Sequence, residues 1–149
     1  MKRRSYSLVM FLYCCAAALV NVAGSAQAQD YKAHCGADSG SICFTGGDLW
    51  LNSGTALATA AASLTMQSDG NLALYDNNGQ GRWAAGTFDY PGAYAGFTSD
   101  GNLAVYWGQR TLFSSGTAGR GAYLALRRDG NLVIFDANHK AIWSVFPIR

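Results

Sequence analysis

The sequence predicts an all-β domain made of three copies of one unit, and three observations support this. The tetrapeptide Asp-Gly-Asn-Leu occurs at 69–72, 100–103 and 129–132, at intervals of 31 and 29 residues, and self-similarity at a fixed period indicates repeated structural units. Short apolar alternations, such as Leu72 and Leu74, lie between residues that favour turns, which is typical of short strands. No segment of the sequence shows a sustained helical period.

The first 28 residues are predicted to be a secretory signal peptide rather than part of the fold. Three basic residues at 2–4 precede an apolar run at 8–22, and Ala26-Gln27-Ala28 ends the segment, which is the pattern that a signal peptidase reads. The run is shorter than the roughly 20 apolar residues of a membrane span. We therefore expect cleavage after Ala28, a secreted or periplasmic mature protein, and no membrane span.

The mature chain is predicted to be one domain with little net charge. Three of the 11 basic residues leave with the signal peptide, so 8 remain against 9 acidic residues, all of them aspartates. This balance argues against nucleic acid as a partner, because nucleic-acid-binding domains carry basic patches. His34 and His139 are isolated from each other and from cysteine pairs, so no metal site and no cofactor is predicted.

Residues 29–47 are predicted to form an irregular N-terminal extension, because they contain four glycines and show neither helical nor strand periodicity. Two of the four cysteines leave with the signal peptide, and Cys35 and Cys43 remain. Oxidation is the default in an exported chain, so we expect one short-loop disulfide between them that ties the extension. The domain that carries the repeats is then 48–149.

Each Asp-Gly step is predicted to be the turn of a β-hairpin, since glycine takes the positive φ that a two-residue turn needs. In the first repeat the outgoing strand is 64–67 and the returning strand is 71–75. Side chains alternate faces along a strand, so Asn71, Ala73 and Tyr75 share one face while Leu72 and Leu74 share the other. The leucines are assigned to the core, which leaves a polar outer face available as a site.

The segment 67–75 reads Gln-Ser-Asp-Gly-Asn-Leu-Ala-Leu-Tyr and resembles the Gln-x-Asp-x-Asn-x-Val-x-Tyr signature of the bulb-type, monocot mannose-binding lectins. The resemblance extends over about 48–149 and includes an aromatic residue 13 or 14 positions after each Asp. It implies the β-prism II fold, in which three four-stranded antiparallel sheets surround a pseudo-threefold axis, with Trp83, Phe113 and Trp143 at the centre. It also implies a non-enzymatic lectin that binds mannose without calcium.

The first repeat supplies the residue types that hold an uncharged sugar. A hexose presents hydroxyls that both donate and accept hydrogen bonds, so its site needs a fixed acceptor beside amide donors. A carboxylate, two amides, a phenol and a small apolar floor are present at the candidate residues Gln67, Asp69, Asn71, Ala73 and Tyr75. By resemblance, Asp69 and Asn71 would bind the 2-hydroxyl of mannose, Gln67 the 3-hydroxyl and Tyr75 the 4-hydroxyl.

The other two repeats match the signature less completely. The second repeat replaces Gln by Thr and Val by Ala104, and it is predicted to be a weaker site made of Thr98, Asp100, Asn102 and Tyr106. The third repeat has Arg127 for Gln and Phe135 for Tyr, which disfavours a site at Asp129, Asn131 and Val133. For the third repeat we favour the plainer interpretation of Asp-Gly-Asn as turn chemistry.

Two other functions stay open at this point. The prism could be a protein-interaction scaffold whose sugar sites have decayed, or a secreted toxic effector of the lectin-like bacteriocin kind. Catalysis is not predicted, because threefold symmetry would hold the signature aspartates on different faces and no paired carboxylates occur.

A homodimer through exchange of the C-terminal strand is compatible with the apolar tail 141–146. The roles of Trp50 and Trp107 are open, and Trp107 could border the second site because it directly follows Tyr106.

Overall fold

Short strands and turns make up the described part of the protein in its computed structural model, which describes residues 18–19 and 40–148. The strands are β1 (Ala18–Leu19), β2 (Ile42–Thr45), β3 (Leu49–Leu51), β4 (Thr55–Ala58), β5 (Ala62–Met66), β6 (Leu72–Asp76), β7 (Gly81–Ala84), β8 (Tyr94–Phe97), β9 (Leu103–Trp107), β10 (Arg110–Ser114), β11 (Tyr123–Leu126), β12 (Leu132–Phe135) and β13 (Ala141–Ser144). The first sheet has the order β1-β4-β5-β6-β7, the second β10-β9-β8-β3 and the third β13-β12-β11-β2. The predicted all-β fold with three four-stranded antiparallel sheets is confirmed, with β1 as an addition to the first sheet.

The strand β1 pairs in parallel with β4 at the edge of the first sheet. Ala18 lies opposite Thr55, and Leu19 lies opposite Ala56. Both residues of β1 fall within the segment 1–28 that is predicted to be cleaved, and that cleavage stays a prediction. Without β1, the first sheet would keep four antiparallel strands like the other two sheets. In the described ranges, no helix is long and apolar enough to cross a bilayer.

The first strands after β1 complete sheets whose other strands come later in the chain. β2 pairs with β11 of the third sheet, and β3 pairs with β8 of the second sheet. The prediction of an irregular extension at 29–47 is therefore wrong for Ile42–Thr45, which form β2. Four residues are too few to show a clear alternation of apolar and polar side chains in the sequence. Ile42–Thr45 become a strand because the otherwise unpaired edge of β11 offers them backbone hydrogen bonds. Residues 29–39 of the predicted extension lie outside the described part.

The inward-facing residues of all three repeats form one core. In each repeat two alternating apolar residues after the turn are fully buried, as predicted, and these are Leu72 and Leu74, Leu103 and Val105, and Leu132 and Ile134. At the centre, the rings of Trp83, Phe113 and Trp143 pack edge to face with centroids 5.5, 6.0 and 6.4 Å apart. Such ring pairs contribute about 0.5–1.5 kcal/mol each beyond the burial of area. The prediction that these aromatics fill the centre of the prism is confirmed.

The turns of the three repeats are three-residue hairpin loops, as the predicted strand bounds 64–67 and 71–75 leave room for, and not the two-residue turns that the Asp-Gly step suggested. In the first repeat, the Gln67 N–H donates to the Asn71 carbonyl at 2.9 Å and the Gly70 N–H donates to the Gln67 carbonyl at 3.0 Å. The same two bonds recur in the second and third repeats. A three-residue hairpin loop of this kind ends in the left-handed region, which favours glycine, and Gly70 has φ +95°. Asp69 therefore lies at the tip of the turn.

Candidate functional site

The residues of the first repeat that are predicted to bind a sugar lie on the hairpin of β5 and β6. Ala73 and Tyr75 alternate with the core leucines on β6, but Ala73 is itself buried, with 4% exposure, and Tyr75 is half-buried. Gln67 and Asn71 flank the turn and are half-buried, and Asp69 at its tip is exposed. The turn and the strand alternation thus place all five residues on the outer face of the first sheet, where four are at least partly exposed and Ala73 is buried.

Two hydrogen bonds hold these side chains together. Gln67 Nε2 donates to the Tyr75 phenol oxygen at 2.5 Å, and the Asn71 N–H donates to Asp69 Oδ1 at 2.9 Å. Within the described residues, Asp69 Oδ2, Asn71 Nδ2 and Gln67 Oε1 have no hydrogen-bond partner. One carboxylate oxygen, one amide donor and one amide acceptor are therefore available to the hydroxyl groups of a ligand.

Thr87 orients the amide of Asn71, and the sequence did not predict this role. The Thr87 N–H donates to Asn71 Oδ1 at 3.0 Å, and Thr87 Oγ1 donates to the Gly70 carbonyl at 2.7 Å and accepts from the Leu72 N–H at 3.3 Å. Thr87 is itself buried. Because Asn71 Oδ1 is held by this bond, its amide nitrogen is left as the available group. A Gly-Thr pair at both 86–87 and 116–117 is the sequence signal of this contact.

The loop 86–93 packs tightly against the turn that carries Asp69. The Tyr90 N–H donates to the Asp69 carbonyl at 3.0 Å. A Cβ atom at Gly70 would overlap the carbonyl group of Tyr90. Glycine at position 70 is therefore required both by its positive φ and by the close approach of this loop. Phe88 of this loop has an exposed ring.

The second repeat keeps the shape of the turn but engages its side chains differently. Asn102 Nδ2 donates to Ser114 Oγ at 3.0 Å, and Asn102 Oδ1 accepts from the Thr117 N–H at 3.2 Å. Thr98 Oγ1 donates to Asp100 Oδ1 at 2.5 Å. One of the two N–H groups of this amide is therefore engaged in the second repeat, whereas in the first neither is bonded to a residue that the structure describes. Whether this repeat is a weaker sugar site stays a prediction.

Tyr106 of the second repeat keeps its proton more tightly than an ordinary tyrosine. Burial raises the pKa of Tyr106 above 10.0, the negative charge of Asp100 raises it further, and a hydrogen bond with Thr98 acts in the opposite direction. The phenol therefore remains a hydrogen-bond donor at neutral and mildly alkaline pH.

The third repeat uses its signature residues for internal contacts. Asn131 Nδ2 donates to the Phe146 carbonyl at 3.0 Å, and Asn131 Oδ1 accepts from the Phe146 N–H at 3.0 Å. Asp129 forms an ion pair with Arg127, with 3.4 Å between Oδ2 and Nη1. The ring of Phe135 is stacked on Tyr123 at a centroid distance of 4.9 Å. Both polar groups of the Asn131 amide are thus bonded to the C-terminal segment.

The remaining sequence predictions concern metals, catalysis and the disulfide. Among residues 40–148, no group of three metal-ligating side chains converges. His139 Nδ1 lies 3.0 Å from the Tyr123 phenol oxygen, so this histidine has a structural partner. Cys43 is buried in β2, and its predicted partner Cys35 lies outside the described residues. The Cys35–Cys43 disulfide stays a prediction.

Comparison with known proteins gives matches to solved structures. No protein-family model and no curated protein sequence matches the chain. A monomeric monocot mannose-binding lectin from Gastrodia elata is 37% identical, with a TM-score of 0.63 over 69% of this chain and 94% of the other. The mannose-specific agglutinin from snowdrop (Galanthus nivalis), complexed with methyl-α-D-mannoside, is 29% identical, with a TM-score of 0.57 over 67% of this chain and 94% of the other. The lectin from Polygonatum cyrtonema, complexed with monomannoside, is 29% identical, with a TM-score of 0.54 over 64% of this chain and 88% of the other.

The match to the Gastrodia protein covers nearly all of that chain, and the three-sheet prism with its central aromatics agrees with the fold that the signature implied. The similarity covers 69% of this chain, far more than one nine-residue motif. The chain therefore belongs to the family of monocot mannose-binding lectins.

Proposed function

We propose that this protein is a lectin that binds mannose or mannose-rich glycans through its first repeat. The observation that carries the proposal is the set of available atoms on Asp69, Asn71 and Gln67, which offers both acceptors and a donor to neighbouring hydroxyls. The mannosides in the snowdrop and Polygonatum cyrtonema structures support mannose as the ligand class.

Each side chain of the first repeat has a distinct part in this binding. Asp69 Oδ2 accepts a hydrogen bond from the 2-hydroxyl of mannose, and Asn71 Nδ2 donates to the same oxygen. Gln67 binds the 3-hydroxyl, and the Tyr75 phenol binds the 4-hydroxyl. Ala73 adds no bulk to the floor of the site. A single shallow site of this kind gives a Kd on the order of millimolar, about −4 kcal/mol.

We propose further that binding needs no calcium and leads to no reaction. The proposed contacts come from protein side chains alone, so a chelator should leave mannose binding unchanged. The signature aspartates 69, 100 and 129 lie in turns of three different sheets, whereas hydrolysis of a glycosidic bond uses a pair of carboxyl groups on either side of that bond. Export to the periplasm or the medium follows from the predicted signal peptide, and cell fractionation tests it.

The proposed site is tested by a matched pair of substitutions. Asp69→Asn removes the charge of the acceptor but retains an oxygen that can accept from the Asn71 N–H, so the turn is preserved. Asp129→Asn makes the same change in the third repeat, where the carboxylate faces Arg127. A hydrogen bond to a charged group is worth about 1.5–3 kcal/mol, which corresponds to about a ten- to a hundredfold loss of affinity. Titration calorimetry with methyl-α-D-mannoside should show this loss for Asp69→Asn and none for Asp129→Asn.

A protein that does not bind mannosides, or that binds them equally well after Asp69→Asn, would contradict the proposal. In that case the interaction-scaffold alternative gains support, because the Asn131 amide already shows how a repeat can use its signature residue for packing. A growth-inhibition assay against related bacteria tests the toxic-effector alternative.

Useful affinity for branched glycans requires more than one site on the same particle. A homodimer is one source of such sites, and we propose it as an expectation to be tested by sedimentation. In the described structure β13 pairs with β12 of its own chain. Exchange of this strand between two chains would preserve the same pairing.

A further inference from the structure

Three aromatic side chains share the outer face of the second sheet. Trp50 of β3 lies 6.1 Å from Tyr94 of β8 and 6.5 Å from Tyr106 of β9, and the two tyrosines lie 5.6 Å apart, all measured between ring centroids. These three residues are called the aromatic platform below. Their rings are tilted by 30° to 43° relative to one another, and the centroid distances lie within the range of aromatic contacts.

The indole of Trp50 rests on Gly96 of the neighbouring strand. Trp50 lies opposite Gly96 in the register of β3 and β8, and a Cβ atom at position 96 would be 2.5 Å from the six-membered part of the indole. Gly96 is buried while Trp50 is 46% exposed. One side of the indole is therefore supported by the sheet backbone, and the ring still presents area to solvent.

Trp50 distinguishes the platform from the other two sheets, since in the third sheet Tyr123 and Phe135 occupy the positions of Tyr94 and Tyr106 and stack on each other. The row of outward residues across this sheet is Trp50, Gly96 and Ala104. The equivalent rows are Ala56, Thr65 and Ala73 in the first sheet and Cys43, Ala125 and Val133 in the third. Large aromatic side chains are normally buried for their contribution to packing, so a half-exposed tryptophan supported by a glycine needs an explanation other than the core.

Polar groups border the platform. Tyr106 is part of the platform, and its phenol remains a donor at neutral pH. Asp100 is exposed at the tip of the turn, and its Oδ2 has no hydrogen-bond partner among the described residues, while Oδ1 is bonded to Thr98 and to the Asn102 N–H. Binding sites for small ligands commonly combine an aromatic surface with a few fixed polar groups of this kind.

We propose that the second sheet binds a pyranose by stacking the C–H face of the sugar on Trp50, with Asp100 and the Tyr106 phenol on its hydroxyls. The sugar is of the glucose or N-acetylglucosamine type, because equatorial substituents leave flat C–H faces on both sides of the ring. The axial 2-hydroxyl of mannose interrupts one of these faces. In addition, the Asn102 amide nitrogen gives one of its two N–H groups to Ser114, whereas the equivalent nitrogen of Asn71 in the first repeat makes no such bond within the described part of the chain.

This inference rests on the proposed function only in taking the protein to be a sugar binder. Substitutions in the two sites are expected to have opposite effects on the binding of mannosides and of equatorial sugars. The probes are methyl-α-D-mannoside, methyl-β-D-glucoside and N-acetylglucosamine, titrated by calorimetry and by tryptophan fluorescence. Trp50→Ala should weaken binding of the glucoside or of N-acetylglucosamine by about tenfold or more, equivalent to at least about 1.4 kcal/mol, and should leave mannoside binding unchanged. Asp69→Asn should have the reverse effect.

Two further variants keep the test decisive. Trp107, which the sequence left as a possible border of the second site, instead packs its ring against Tyr90 and donates from Nε1 to the Pro91 carbonyl, and no ring contact joins it to the platform among the described residues. Trp107→Ala therefore removes a tryptophan of similar exposure outside the platform, and it should leave the affinity for both equatorial sugars unchanged. Gly96→Ala displaces the indole without removing it, and it should weaken the same sugars as Trp50→Ala. Thermal unfolding of each variant checks that the fold is retained.

The outcomes separate the two sites. Mannoside binding that depends on Asp69, together with no detectable binding of either equatorial sugar, overturns the inference and leaves the proposed function intact. Equal losses for Trp50→Ala and Trp107→Ala overturn it as well. Binding of an equatorial sugar that depends on Trp50, in a protein that does not bind mannosides, supports the platform and contradicts the proposed mannose site.

Discussion

Replacement of Gly70 by alanine should destabilise the protein strongly and should disable the first repeat. Gly70 has φ +95°, a conformation in which a Cβ atom is strained, and this strain costs about 1–2 kcal/mol for an alanine. The added Cβ would also overlap the Tyr90 carbonyl group. The loop 86–93 must then move away from the turn, and the hydrogen bond from the Tyr90 N–H to the Asp69 carbonyl is lost.

The size of the effect follows from these contributions. Overpacking against backbone costs about 1–3 kcal/mol, and loss of one hydrogen bond costs about 0.5–1.5 kcal/mol. Gly79→Ala is the matched control, because Gly79 has φ +76° and an alanine Cβ at this position would meet no atom within 4 Å. The control should lose only the contribution of strain. Gly70→Ala should therefore be less stable than Gly79→Ala by about 2–4 kcal/mol.

Urea unfolding followed by tryptophan fluorescence measures this difference, and calorimetry with methyl-α-D-mannoside measures the consequence for the site. Mannoside binding should be lost in Gly70→Ala and retained in Gly79→Ala, because Thr87 and Asn71 are held together by the displaced loop. Equal stability of the two variants would show that the loop does not press on the turn, and it would refute the reasoning.

Three further predictions concern other parts of the molecule. Asn131→Ala should lower the free energy of unfolding by about 1–3 kcal/mol, because both polar groups of the Phe146 backbone lose their partner; unchanged urea stability would contradict the contact, and mannoside binding should not change. Burial and Asp100 raise the pKa of Tyr106 above 10.0, so the contribution of this phenol to the free energy of unfolding is full below pH 10 and is lost as pH rises through the folded-state pKa. In unfolding experiments at alkaline pH, Tyr106→Phe should therefore lose less stability with rising pH than the parent protein. An identical pH dependence in both proteins would contradict this prediction. Cys35→Ser and Cys43→Ser should each lower the free energy of unfolding by about 2–3 kcal/mol, as expected for loss of a disulfide that closes a short loop. Alkylation that labels both cysteines without prior reduction would exclude this disulfide.

The sequence predicted the parts of the fold that depend on local pattern. The Asp-Gly-Asn repeats placed the turns, and the alternation of Leu72 and Leu74 with polar neighbours assigned the two faces of β6 correctly. The type of turn was not predicted correctly, because two- and three-residue hairpin loops can both contain Asp-Gly. The assignment of Trp83 to the centre was also correct, since it followed from the resemblance to a family of known architecture.

The features that the sequence did not predict depend on residues far apart in the chain. Ile42–Thr45 become a strand through β11, and Thr87 becomes a partner of Asn71 because the sheet brings them together. The occupation of the Asn131 amide by Phe146 likewise requires the position of the C-terminal segment. The platform around Trp50 was not foreseen, because its rings come from three strands that are separated in sequence.

The pairing of β2 with β11 has a consequence for how the protein is made. The Arg128 N–H donates to Ser41 Oγ across 87 residues. The segment around β2 leaves the ribosome early but finds its partner only after most of the domain has been synthesised. Until β11 has been synthesised, β2 has no strand to pair with, and β3 likewise has no strand to pair with until β8 has been synthesised. Unpaired strand edges invite wrong pairing with other chains, and such exposure is a common reason for dependence on chaperones. Nascent chains that are arrested before residue 123 should therefore aggregate, whereas chains in which Tyr123–Leu126 has left the ribosome can pair β2 with β11.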